Sequence, residues 1–67
     1  MTQRERELAH NVLEVIDLSD AGVSLLKIEE VLMSAVSFRQ MVMTINALAN
    51  AGLIRIDANH VAHRVRT

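Results

Sequence analysis

Sixty-seven residues, 51% apolar and with a net charge of −1, make one small domain, residues 1–67, without the basic excess usual in a nucleic-acid binder. Cysteine is absent, which excludes a disulfide framework and thiolate chemistry and leads us to expect a reducing, cytoplasmic setting. No apolar run approaches membrane-spanning length, and the start, Met-Thr-Gln-Arg-Glu-Arg-Glu, lacks the character of a signal peptide.

Thr2-Gln-Arg-Glu5 has capping-box form and predicts a first helix over about 3–17. Leu8, Val12 and Ile16 make one apolar stripe. Ala9, Leu13 and Val15 broaden it, enough for the domain core on one side and a second subunit on the other. Arg4, Glu5, Arg6, Glu7 and His10 read as a solvated first turn and flank. Ser19-Asp20-Ala21-Gly22 is a turn by composition. Ser24 then caps a short second helix, about 24–33, with Leu25, Ile28, Val31 and Leu32 expected inside and Lys27, Glu29 and Glu30 in water. Met33 to Val36 forms the next turn, with Val36 packed inward.

Ser37 opens a third helix, about 37–50. It can cap the first free amides, and Gln40 can reach back to complete a capping box. Met41, Ile45 and Leu48 recur at helical spacing and mark the buried face. Asn50-Ala51-Gly52 is a stop, since Gly52 can take the left-handed conformation beyond the last turn. Leu53 to Asp57 and His60 to Arg66 read as a hairpin, about 53–66, around a two-residue Ala58-Asn59 loop. That register sets Ile56 opposite Val61 and Ile54 opposite His63 on the inner face, with Val65 extending it. Asp57 then pairs with His60 and Arg55 with Ala62 on the outer face, where Arg55, Arg64 and Arg66 form the chain's concentration of positive charge.

The stretch Ser37 to Ile54 resembles the recognition helix and first wing strand of small prokaryotic winged helix-turn-helix repressors, the multiple-antibiotic-resistance and arsenic-sensor types among them. Those families begin with Ser, carry an apolar residue four on and a Leu at eleven, and then Gly-Leu-Ile. Ser37, Met41, Leu48, Gly52, Leu53 and Ile54 stand at those places. Glu29 departs from the pattern, which often has a small residue there, and the Met33–Val36 turn is about two residues longer than in the shortest versions. The resemblance implies a mainly α fold with a small β-hairpin, the three-helix winged helix-turn-helix. It also implies a DNA-binding transcriptional regulator acting as a homodimer on double-stranded DNA.

On that expectation the outward residues of the third helix carry the function. Arg39, Gln40 and Asn46 offer hydrogen bonds to base edges with Thr44 supporting them, while Arg55, Arg64 and Arg66 on the wing meet phosphates. The alternative is a protein-interaction module, adaptor or inhibitor, docking through Phe38, Val42 and Met43 on the same helix. A third possibility makes that apolar face the homodimer interface. Enzyme chemistry, a cofactor and a metal are not expected. The two glycines lie far apart, adjacent Glu29 and Glu30 splay on a helix, and His60 and His63 on one strand point to opposite faces. His63 reads instead as a half-buried hairpin residue bonded to a neighbour.

Overall fold

The computed structural model describes residues 2–32 and 36–65. In chain order it contains α1 (Gln3–Asp17), β1 (Val23–Ser24), α2 (Leu25–Leu32), α3 (Phe38–Asn50), β2 (Ile54–Ile56) and β3 (Val61–Arg64). This is a mainly α fold with one small antiparallel sheet, of strand order β1-β3-β2.

Local chemistry sets the helix boundaries. Thr2 Oγ1 accepts from the Glu5 N–H at 3.2 Å, and its hydroxyl donates to Glu5 Oε1 at 3.1 Å. Ser24 Oγ accepts from the Lys27 N–H at 3.1 Å, and Ser37 Oγ from the Gln40 N–H at 3.2 Å. Each cap satisfies a first-turn amide that has no partner within the helix. α3 ends in a Schellman motif. Leu53 N–H donates to Leu48 O and Gly52 N–H to Ala49 O, both at 3.0 Å, with Gly52 at φ +78°.

The core collects the apolar positions of all three helices: Leu8, Val12, Val15 and Ile16 from α1, Ile28 and Leu32 from α2, Met41, Ile45 and Leu48 from α3. Val23, Ile54 and Ala62 close it from the sheet. The apolar stripe of α1 is taken up within the protomer, and the helix's exposed positions are polar. Val36 packs against this core as expected. Val31, expected inside, is 45% exposed. A two-turn helix buries a narrow stripe, here centred on Ile28 and Leu32, and Val31 falls on its flank. Met33 to Ala35, most of the turn expected between α2 and α3, lie outside the described residues.

The sheet holds two departures from expectation. β1 pairs with β3, Val23 opposite Ala62 and Ser24 opposite Val61. A two-residue strand has no alternation to reveal it beforehand. The hairpin register is also shifted by one: Ile54 faces Arg64, Arg55 faces His63 and Ile56 faces Ala62. The loop has three residues, Ala58-Asn59-His60. His60 N–H closes the turn onto Asp57 O at 3.1 Å, and Asp57 N–H donates to Val61 O at 3.0 Å. His60 takes the left-handed conformation, φ +60°. Either favoured two-residue turn would have required positive φ at Ala58, which alanine resists. Asp57 instead anchors the longer loop, its Oδ1 accepting from the N–H groups of Asn59 at 2.8 Å and Val61 at 3.0 Å.

A slip of one residue exchanges the faces of a strand. Ala62 and Arg64 therefore share the inner face with Ile54 and Ile56. Val61 and His63 join Arg55 and Asp57 on the outer face, and Val65, expected inside, is 41% exposed.

Candidate functional site

α3 is held on its Met41, Ile45 and Leu48 side and presents three rows elsewhere. Arg39, Met43 and Asn46, at helical spacing, form the outermost ridge and are exposed. Gln40, Thr44 and Ala47 form the row beside α1. Phe38, exposed, and Val42, half-buried, form the row on the other side. The polar candidates on α3 are thus brought together along its exposed N-terminal two-thirds. The apolar candidates are not: Met43 stands on the outer ridge and Phe38 and Val42 lie round the flank.

Between the first turn of α1 and α3 lies an open groove of about 530 Å³. Its lining is largely apolar, with Leu8, Val36, Ala47 and the overhanging Met43, and includes Arg4 and Arg39. Thr44 lines it, but its hydroxyl donates to Gln40 O at 2.9 Å. That bond orients Thr44 along its own helix and leaves only its lone pairs for a ligand.

The hairpin does not gather its arginines as expected. Arg55 is exposed on the outer face, whereas Arg64 lies on the inner face opposite Ile54, half-buried, with Nη1 buried and without a hydrogen-bond partner. The one-residue register shift is the cause. Arg66 lies outside the described residues. In place of a triple-arginine cluster, the outer face carries Arg55 directly across from His63, and His63 bonded to Asp57.

That pair was missed as a unit, although His63 was expected to find a neighbour. Nε2 of His63 lies 2.9 Å from Asp57 Oδ2. On its other side the ring covers Gly22, where a Cβ would meet His63 Nδ1 at 2.6 Å and Ala62 O at 2.8 Å. The hydrogen bond from His63 holds the Asp57 carboxyl below its ordinary value of 3.8, helped by the Val61 and Asn59 amides. Asp57 lying two residues before Asn59 was a legible signal of a carboxylate-anchored turn.

Among the described residues no three His, Cys, Asp or Glu side chains converge as a metal site, and no helix is long and apolar enough to cross a membrane. Compared with protein families, curated proteins and solved structures, the chain has no match.

Proposed function

We propose that the domain is a winged helix-turn-helix that binds duplex DNA as a transcriptional regulator, with α3 in the major groove. The element order α1-β1-α2-α3-β2-β3, with β1 paired to the last strand, supports this reading of the fold. The observation that carries the functional reading is the exposed ridge of α3. Arg39 and Asn46, with Gln40 beside them, offer the donors and acceptors that read base edges. Arg55 is the wing's phosphate contact, and Arg64, turned inward, is not one. A homodimer would set two such helices about one helical turn of DNA apart. The absence of cysteine supports a cytoplasmic protein.

The test is a polarisation titration on random-sequence duplex at low and moderate salt, with the mass in solution measured alongside. Phosphate contacts give non-specific binding at low salt that weakens steeply as salt rises. Absence of binding at low salt retires the reading.

One observation favours a second reading, a protein-docking module. Met43, 62% exposed, overhangs the apolar groove beside α1 and would anchor a partner there. Met43→Asp abolishing the biological activity while random-duplex binding is undetectable would establish it over the first.

A further inference from the structure

We propose that Arg4, on the first turn of α1, is a phosphate contact on the strand that flanks α3, across the α1–α3 groove from the base-reading Arg39. The inference rests on the DNA-binding reading above. A helix lying in the major groove, about 12 Å wide, has a phosphate backbone along each side. On one side of α3 stands α1, which packs against it, and the basic side chain α1 contributes to the shared groove is Arg4.

Three further observations point the same way. Arg4 and Arg39 are both exposed, and neither makes an ion pair among the described residues. The one acidic side chain in this groove, Glu5, keeps its negative charge while Oε1 accepts from the Thr2 hydroxyl at 3.1 Å, so the lining carries two cations against one anion. The apolar lining at Leu8, Val36 and Ala47 suits the carbon face of a deoxyribose next to the phosphate that Arg4 would hold. Two residues further along α1, Arg6 lines a separate shallow depression with Glu7 and His10, away from α3. It has the same charge and nearly the same sequence position without the placement.

That contrast supplies the experiment. Wild type, Arg4→Gln and Arg6→Gln are titrated on random and defined duplexes over a range of salt, with circular dichroism showing that each remains folded. Arg4→Gln is expected to weaken binding on every sequence alike. It should make the slope of log affinity against log salt shallower by about one, the signature of a lost phosphate contact. Arg6→Gln, with the same change in net charge, is expected to keep the wild-type slope. Wild type that binds while Arg4→Gln matches it overturns the Arg4 contact alone, as does an equal loss of slope in both variants. Wild type that fails to bind at any salt overturns the DNA reading together with the contact.

Discussion

His63 Nε2 and Asp57 Oδ2 stand 2.9 Å apart across the outer face of the hairpin, while the other oxygen of the same carboxylate holds the amides of Asn59 and Val61. One side chain therefore fixes both the turn and the strand that leaves it. Asp57→Ala is expected to lower the melting temperature and to speed hydrogen exchange at Asn59 and Val61 more than elsewhere. Exchange at those amides unchanged from wild type would show that the turn holds without the carboxylate.

The same carboxylate sets a pH dependence. Its folded-state value lies below 3.8 and its unfolded value near 3.8, so its contribution is present above that pH and is lost as pH falls through the lower folded value. Denaturant unfolding of wild type and Asp57→Asn at neutral pH and near pH 3 checks this. The stability gap between them is expected to narrow at acid pH.

Gly22 and Gly52 separate two kinds of glycine requirement. Both have positive φ, +92° and +78°, but a Cβ at Gly52 meets nothing within 4 Å, whereas one at Gly22 strikes the His63 ring and Ala62 O. Gly52→Ala is expected to cost about 1–2 kcal/mol, the left-handed penalty alone. Gly22→Ala is expected to cost clearly more, since the Ala62 carbonyl belongs to the central strand and cannot withdraw. Thermal unfolding of the two variants gives the order directly.

In α2 the burial stripe makes a sharp distinction between neighbours. Ile28 is 0% exposed and Val31 is 45% exposed. Ile28→Ala is expected to destabilise by about 2–5 kcal/mol, and Val31→Ala by about 0.5 kcal/mol or less. Equal losses would show Val31 covered in solution, as by a second subunit.

Arg64 turns the corrected register into a test. Its buried Nη1 lacks a partner, and a buried donor without one costs about 1–3 kcal/mol. Arg64→Met, which keeps the stem and removes the donor, is expected to equal or exceed wild type in stability and, on the DNA-binding function proposed above, to leave the salt dependence of binding unchanged. Arg55→Gln, on the exposed face, is expected to make that dependence shallower.

Helical signals were legible because they are local. The Thr2, Ser24 and Ser37 caps and the spacing of Met41, Ile45 and Leu48 are decided within a turn or two of chain, and the polar ridge of α3 follows from them. The hairpin was not legible in the same way. Its register depends on whether Ala58 accepts positive φ and on what the Asp57 carboxylate binds, and one residue of difference moved Arg64 from the outer face to the inner. β1 depended on a partner distant in sequence. Half of the candidate site, the helix, could thus be read from spacing. The other half hung on a turn.

The central strand of the sheet is β3, and every other described element precedes it. β1 and β2 have no hydrogen-bond ladder with each other, so neither can settle into the sheet until β3 has been synthesised. A growing polypeptide can therefore coil its helices early, yet it stays an open assembly on the ribosome until Val61 to Arg64 have emerged and closed the long interval back to Val23. Completion of the sheet thus waits on the last of its three strands.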